Sequence, residues 1–519
     1  MSAGSVAIGR PTLAQRWQQA VASGPQRNFL TFESRGNQAT CWTYAEWELV
    51  VGRVAGHLRS KGVVEGDRVH LAVANSPAFL ALWFATSRIG AIMVPSDPRA
   101  TARELDTHIE MTGARISVLG RESAPFAHHG LGGGVDIILV DEDDVGLADW
   151  SAGDAVAGPN LMSYSHPASI MFTSGTTAAP KGVVISHGNY GFAGDTMAAA
   201  AALTAVDRCL VVLPLFHANA QYYSVSAAVS AGAGVCLMSG FSASRFVEQV
   251  ARYEATHTSI FAAPMRMILT REGGRVDGAR LRHCWYAQSV QPDQLRAFGE
   301  LVGCTPRQLY GMTETTAAVI SQRWLDGDSG VIGEPTIGCD VELRTEGAAD
   351  PEGVGSEGEI TVGGERGFHL FVGYWNAAEV TAAAFHDGRF WTGDLGQMDE
   401  GGRIQFRGRR GDLLKVAGEN VSTAEVESVL DAHPAVLEVA VVGRPDAIRD
   451  EVPIAYVVRA PDHPSISAEE LLAFAAGSLS PSKRPREVHF VDELPRTSVG
   501  KIRKFLLPRV TPDGEAISG

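Results

Sequence analysis

An apolar run, Ile170-Met171-Phe172, leads into Thr173-Ser174-Gly175-Thr176-Thr177-Ala178-Ala179-Pro180-Lys181-Gly182, and the chain then returns through Val183-Val184-Ile185-Ser186. The pattern reads as a buried strand, a turn of hydroxyls and small residues with one lysine, and a second strand. Small residues let backbone N–H groups close on an anion, hydroxyls add donors, and the lysine adds a point charge. Such a turn is built to hold a polyphosphate. It is not a Walker A loop, which requires Gly, four residues and Gly-Lys-Ser/Thr ahead of a helix. Taken alone, the same residues also suit a solvated Ser/Thr/Gly surface loop.

Around this segment, short apolar runs alternate with amphipathic stretches, the mark of a layered α/β protein. The spacing predicts helices over 13–22, 44–61, 78–90 and 220–230, and strands over 68–73, 116–119, 136–140, 210–213 and 234–238. From about residue 331 the texture changes to short strands and turns. A half-buried strand is expected over 358–362 and a loop over 364–373, and the turn Asp399-Glu400-Gly401-Gly402 joins two further strands. After Gly408-Arg409-Arg410-Gly411-Asp412 a compact unit follows. Its first helix, over 422–432, opens with the capping-box pattern Ser422-Thr423-Ala424-Glu425. Strands over 436–442, 453–458 and 487–491 and a helix over 467–478 complete it. The chain of 519 residues exceeds the roughly 250–300 at which single cores split, so two domains are expected, 1–410 and 411–519. The first is a large α/β domain of layered sheets and helices, and the second a small α+β domain.

A net charge of −15 argues against nucleic acid or an anionic membrane as the main partner. The six cysteines are scattered without a CxxC pair, which suits reduced thiols in a cytoplasm and excludes a zinc or disulfide framework. The most apolar stretch, 79–95, is interrupted by Ser87 and Arg88, so no membrane insertion is expected, and residues 1–10 lack the apolar centre of a signal peptide. The abundance of Ala, Gly and Arg points to a bacterial source of high GC content.

Four further segments carry chemistry. Tyr310-Gly311-Met312-Thr313-Glu314 places an aromatic face, a hydroxyl and a carboxylate together. These types suit a purine, a phosphate oxygen and a hard cation such as Mg²⁺. Trp391-Thr392-Gly393-Asp394 ends a predicted strand on a carboxylate suited to ribose hydroxyls. Gly408-Arg409 supplies an always-charged fork, and Pro495-Arg496-Thr497-Ser498-Val499-Gly500-Lys501 sets a lysine after glycine. Each also has a plain reading, as a turn aromatic, a turn aspartate or a solvated lysine.

Their order is more telling than any one of them. Thr173–Gly182, Phe216-His217, Tyr310–Glu314, Trp391–Asp394, Arg409, Gly418-Glu419-Asn420 and Lys501 together resemble the signature series of the adenylate-forming superfamily. That superfamily includes acyl-CoA synthetases, nonribosomal adenylation domains and beetle luciferases, and the resemblance spans about 12–508. Lys415-Val416-Ala417-Gly418-Glu419-Asn420-Val421-Ser422, His433-Pro434, Val441-Val442-Gly443 and Arg449-Asp450-Glu451 look most like carnitine/crotonobetaine-type and medium-chain acyl-CoA ligases.

The resemblance implies a role for each matching residue. Thr173, Ser174, Gly175, Thr176, Thr177 and Lys181 would cradle the β- and γ-phosphates of ATP. Tyr310 would pack on adenine with Gly311 and Met312 beside it, Thr313 would touch the α-phosphate, and Glu314 would hold Mg²⁺. Asp394 and Arg409 would bind ribose. His217 would gate the passage between nucleotide and acyl sites, and Lys501 would bridge the acid's carboxylate and the α-phosphate. The small domain would be mobile about a hinge at Gly411, presenting Lys501 for adenylation and then Ala417, Gly418 and Glu419 to coenzyme A. Phe216, Gln221, Tyr222, Phe261, Ala262 and Tyr286 would wall the acyl pocket, and Tyr286-Ala287-Gln288 would border both adenine and acid.

The implied reaction is ATP-dependent: a carboxylic acid becomes acyl-AMP with loss of pyrophosphate, and a thiol then expels AMP. Coenzyme A is the expected acceptor, with a carrier-protein thiol as the alternative and a non-catalytic nucleotide sensor as a distant third. The pocket list carries no fixed charge, which favours an apolar or aromatic acid: fatty, aryl or polycyclic. The sequence departs from the family at Ala178, usually glycine, at Gly411, usually Asp or Lys, and at Tyr286-Ala287-Gln288, usually a Gly/Ala-rich stretch. The basic residues Lys483, Arg484, Arg486, Arg496, Lys501, Arg503 and Lys504 suit either the phosphates of coenzyme A or a solvated face. An oligomer is compatible with the sequence.

Overall fold

The computed structural model describes residues 10–122, 135–142, 150, 154–158, 162–173, 180–271, 276–323, 330–348, 350–416, 419–446, 449–496 and 502–507. Two large sheets form its centre. A seven-stranded sheet runs in the order Gly373–Tyr374, Lys181–Ser186, Pro167–Thr173, Ile92–Pro95, Arg68–Ala72, Ile116–Gly120, Asp136–Val140. A nine-stranded sheet carries the parallel neighbours Arg307–Tyr310, His283–Ala287, His257–Phe261, Arg208–Val211, Gly234–Met238 and Asn28–Glu33. Parallel strands need cover on both faces, and the near-continuous apolar composition of these runs supplies it. The α/β expectation is borne out.

The helix Pro77–Ile89 shows how the sequence specifies the layering. Ser76 accepts from the Phe79 N–H, proline occupies the first turn, and every residue of the helix is buried. A helix apolar on all sides belongs inside a large core. Arg88 is buried with it because its guanidinium donates to Glu48 at 2.6 Å and to the Val156 carbonyl at 3.1 Å. Among the described residues, no helix is long and apolar enough to cross a membrane.

A third, five-stranded sheet joins Asp340–Arg344, Glu357–Gly363, Arg389–Met398, Phe385–His386 and Ile404–Arg409. The 3₁₀ turn Arg410–Asp412 leads from it to a fourth sheet of Leu413–Val416, Glu419–Ser422, Val436–Asp446, Asp450–Arg459 and Glu487–Phe490. The helices Thr423–Asp431 and Ala468–Ser478 pack on that sheet through a cluster that includes Val426, Leu430, Leu471 and Ala475. The large core ends at Ile404, and the clusters of the last sheet begin at Leu414, so the two domains fill separate cores.

Three details differ from the sequence reading. Over 219–231 the chain is a π-helix, Asn219–Ser226, continued by the α-helix Ala227–Ala231. The wider turn accommodates a segment buried on every side, with Gln221 facing Tyr190 and the Tyr223 hydroxyl against Gly311. The strand at Trp391 does not end at Asp394 but continues to Met398. The Ser422 hydroxyl caps the Glu425 N–H at 3.4 Å, yet the box is not reciprocal, because the Glu425 carboxylate takes the Lys483 ammonium at 2.7 Å. Of the basic cluster, Lys483 pairs with Glu425, Lys504 with Glu427 and Arg496 with Glu438.

Candidate active site

The strand Arg307–Tyr310 delivers Tyr310 to the C-terminal edge of the nine-stranded sheet, where open α/β sheets bind ligands. Gly311 follows because nothing larger fits: a Cβ there would lie 2.8 Å from the Tyr223 hydroxyl and 2.9 Å from the Ala317 carbonyl. The Tyr310 hydroxyl donates to Asp394 Oδ2 at 2.7 Å, and Arg409 Nε donates to Asp394 Oδ1 at the same distance. Asp394 and Arg409 face each other in antiparallel register on neighbouring strands of the third sheet. Gly393 makes that possible. Its φ of +76° is open to glycine, and its N–H donates to Glu359 Oε1 at 2.8 Å.

Burial, followed by the Asp394 charge, pushes the Tyr310 hydroxyl well above its ordinary range, so it stays a neutral donor. Burial works against the Arg409 charge, but Asp394 more than offsets it and holds the guanidinium above its usual range.

A second group forms beside the first. The 3₁₀ turn Thr313–Thr315 places a buried Glu314, whose carboxylate accepts from the Tyr374 hydroxyl at 3.1 Å. Tyr374 lies on the two-residue strand Gly373–Tyr374, which pairs with Lys181–Ser186. The Lys181 ammonium stands 5.4 Å from the centre of the Tyr374 ring. Thr173 and Lys181 are register partners at the facing ends of two antiparallel strands. Sequence reasoning missed Tyr374, whose one signal is an aromatic after glycine, directly past the segment read as loop. Among the described residues, no three His, Cys, Asp or Glu side chains gather to hold a metal. Glu314 as a lone carboxylate suits Mg²⁺, which keeps most of its waters and arrives with phosphate oxygens.

The acyl-side candidates are arranged differently. Phe216 and His217 touch ring to ring, centroids 4.4 Å apart. Phe261 ends its strand in register with Ala287, and Ala262 begins the helix Ala262–Leu269. Gln221 is fully buried, its Nε2 donating to the Leu215 carbonyl at 2.6 Å and its Oε1 accepting from Tyr190 at 2.5 Å. The Tyr222 hydroxyl reaches Met171 Sδ at 3.4 Å, and the Tyr286 hydroxyl donates to Gln308 Oε1 at 3.5 Å. Gln288 has φ +74°, a left-handed conformation rare outside glycine, and its carbonyl accepts from Gln308 Nε2 at 3.0 Å. Met312 donates its N–H to Thr315 Oγ1 at 3.0 Å, and Gly411 sits within the 3₁₀ turn Arg410–Asp412. Ser174, Gly175, Thr176, Thr177, Ala417, Gly418 and Lys501 lie outside the described residues, and Glu419 is placed only as the first residue of its strand.

Comparison with known proteins agrees with this geometry. A family model described as AMP-binding enzyme matches residues 17–375, and one described as AMP-binding enzyme C-terminal domain matches 425–501. The crotonobetaine/carnitine–CoA ligase of Proteus mirabilis is 33% identical over 519 residues, covering 96% of this chain and 99% of that one. The crystal structure of ATP-bound MatB from Rhodopseudomonas palustris superposes with a TM-score of 0.83 at 28% identity, over 95% of this chain and 97% of that one. The o-succinylbenzoate CoA synthetase MenE of Bacillus subtilis, in complex with its acyl-adenylate intermediate, gives 0.82 at 27% identity, over 96% and 99%. The chain belongs to the AMP-binding enzyme family and is an AMP-forming acid–thiol ligase.

Proposed function

We propose that this ligase activates an apolar or aromatic carboxylic acid with ATP and passes the acyl group to coenzyme A. The convergence of Tyr310, Asp394 and Arg409, from three separate strands, carries the reading. Tyr310 stacks on adenine, while Asp394, fixed by Arg409, accepts from the ribose hydroxyls. Lys181, with Thr173, Ser174, Gly175, Thr176 and Thr177, holds the β- and γ-phosphates, and Thr313 holds the α-phosphate. Mg²⁺ at Glu314 would screen charge on the nucleotide. A carboxylate approaching a polyanion meets like-charge repulsion, and Lys501 lowers it by bridging the two reacting groups. In-line attack at the α-phosphorus then gives acyl-AMP and pyrophosphate. His217 separates that centre from the acyl pocket.

Lys501 serves the first step alone, so the small domain, taken as 411–519, turns about Gly411 for the second. Ala417, Gly418 and Glu419 then line the path of the thiol, which attacks the acyl carbonyl and expels AMP. The acid class is supported by the polar ends of Gln221, Tyr222 and Tyr286, all engaged within the protein, which leaves a mainly apolar wall with Phe216, Phe261 and Ala262. The protein works in the bacterial cytoplasm, where ATP, Mg²⁺ and coenzyme A are supplied.

Pyrophosphate release with ATP and Mg²⁺ across fatty, aryl and polycyclic acids, with and without coenzyme A, tests this. Release with one acid class, and thioester in the same tube, is the expected result. Release without thioester moves the acceptor to a carrier protein. No release with any acid across a broad panel overturns the reading in favour of a nucleotide sensor.

A further inference from the structure

Two local rules are broken where the domains meet. Asp431 is the last residue of the helix Thr423–Asp431, the end at which the helix dipole disfavours an anion, and no basic residue shares that turn. Across the junction, Gln291 precedes the helix Pro292–Val302 without capping it through its side chain. Its Nε2 instead donates to Asp431 Oδ2 at 2.6 Å. Local departures of this kind mark positions set by something beyond local stability.

Arg266 completes the junction. Its guanidinium donates to the Ser289 carbonyl at 3.1 Å and to Gln294 Oε1 at 3.3 Å, and lies 3.7 Å from Asp431 Oδ2. The Arg266 and Asp431 side chains are only 16% and 14% exposed, so water screens the pair weakly. Arg266 sits on the helix Ala262–Leu269, directly after Phe261, and Ser289 follows Gln288. Arg266 therefore joins three pieces of chain: its backbone belongs to the helix that begins at Ala262, and its side chain reaches the Ser289 carbonyl beside Gln288 and Asp431 of the small domain.

We infer that Arg266 is a positioning residue which, with Gln291, holds Asp431 in one of the two small-domain orientations and ties that orientation to the acyl wall. This rests on the two-step reaction proposed above. A contact made in one orientation stabilises that orientation alone and slows departure from it. Loosening it must move the two half-reaction rates apart. A purely structural contact would lower both together.

The test compares Asp431→Ala, Asp431→Asn and Gln291→Ala with the unmodified protein. Acid-dependent ATP–pyrophosphate exchange reads the first half-reaction, using the acid of the panel that releases most pyrophosphate. Thioester formation from its purified acyl-adenylate and coenzyme A reads the second. The ratio of the two rates is expected to change about fivefold or more in Asp431→Ala, and less in Asp431→Asn. Adding Arg266→Ala to Asp431→Ala should change the ratio little further. A ratio within about twofold of the unmodified protein in all variants overturns the inference.

A second readout needs no acid. Spin labels at Glu300→Cys and Glu469→Cys, both exposed, on a Cys41→Ser background, report the inter-domain distance with ATP and Mg²⁺. Asp431→Ala should shift or broaden that distribution, and an unchanged distribution overturns the inference. Failure of the unmodified protein on every acid defeats the proposed reaction and leaves this second result to decide the junction.

Discussion

The residues proposed for the nucleotide and those proposed for the acid use polar side chains in opposite ways. On the nucleotide side, Tyr310, Asp394 and Arg409 bond one another across 84 and 15 residues of chain, and Glu314 meets Tyr374 across 60. Every partner in these bonds is itself a ligand candidate or its immediate support. On the acyl side, Gln221, Tyr222 and Tyr286 bond Leu215, Tyr190, Met171 and Gln308, which belong to the scaffold. The first arrangement sets the direction of groups that then meet a ligand. The second hides polarity so that an apolar surface remains. A purine, a ribose and a polyphosphate are constant across such ligases, while the acid varies, and the two walls reflect that difference in demand.

The largest effect should come from a residue common to neither wall. Lys501→Ala is expected to lower acid-dependent pyrophosphate exchange by about 10²–10³-fold, the scale for removing one electrostatic contact to developing charge. Thioester formation from purified acyl-adenylate should stay within about threefold, because the proposed second step does not use the lysine. Equal losses in both steps would place Lys501 in general binding, and the two-step division of labour would fall.

Asp394→Ala comes next and tests the nucleotide wall directly. It removes two hydrogen bonds, one to a cation, and leaves the Tyr310 hydroxyl without its partner. Arg409 is 42% exposed at its side chain and can hydrate, so folding should suffer less than binding. The KM for ATP should rise about 10–100-fold, with the preference among acids unchanged. A changed acid preference would mean that the two walls are not separate.

The sequence reveals these two walls unequally. Tyr310, Gly311, Glu314, Asp394 and Arg409 are legible because they stand in short motifs whose order matches the family's, and the structure brings Tyr310, Asp394 and Arg409 together. The need for glycine at 393 appears only in the structure, where a φ of +76° beside Asp394 excludes most other residues. Tyr374 is not legible, since a two-residue strand leaves no periodicity and one aromatic after glycine is common in turns. The π-helix at Asn219–Ser226 reads as an ordinary helix because its mix of small, polar and aromatic residues carries no signal of winding, and its burial on every side appears only in the structure. The reach of the strand Arg389–Met398 past Asp394 is hidden by Gly393, which reads as a terminator and acts as an irregularity within the sheet. Arg266 stands in no motif, and only its neighbours across the domain junction give it a meaning.

On the acyl wall the expected effect is on stability. Gln221→Leu keeps volume but leaves the Tyr190 hydroxyl and the Leu215 carbonyl buried without partners. Each costs about 1–3 kcal/mol, so unfolding of the large domain should lose roughly 2–6 kcal/mol in denaturant. The order of preference among acids that the protein accepts should be the same as before. If instead polar acids are gained or lost while stability holds, Gln221 meets the substrate and the contrast between the walls is wrong.

The smallest effect sharpens the nucleotide wall. Tyr374 does two things there: its hydroxyl donates to Glu314 at 3.1 Å, and its ring faces the Lys181 ammonium at 5.4 Å. Burial, then the Glu314 charge, pushes the hydroxyl far above its ordinary range, so it donates at any working pH. Tyr374→Phe removes the bond and keeps the ring, and should raise the KM for ATP with Mg²⁺ about 2–10-fold. Tyr374→Leu removes the ring as well and should add a further factor of about 2–5 from the lost cation–π contact. Equal values for the two variants would assign Tyr374 to Glu314 alone. A normal KM in both would detach Tyr374 from the site and leave Glu314 and Lys181 to act without a shared support.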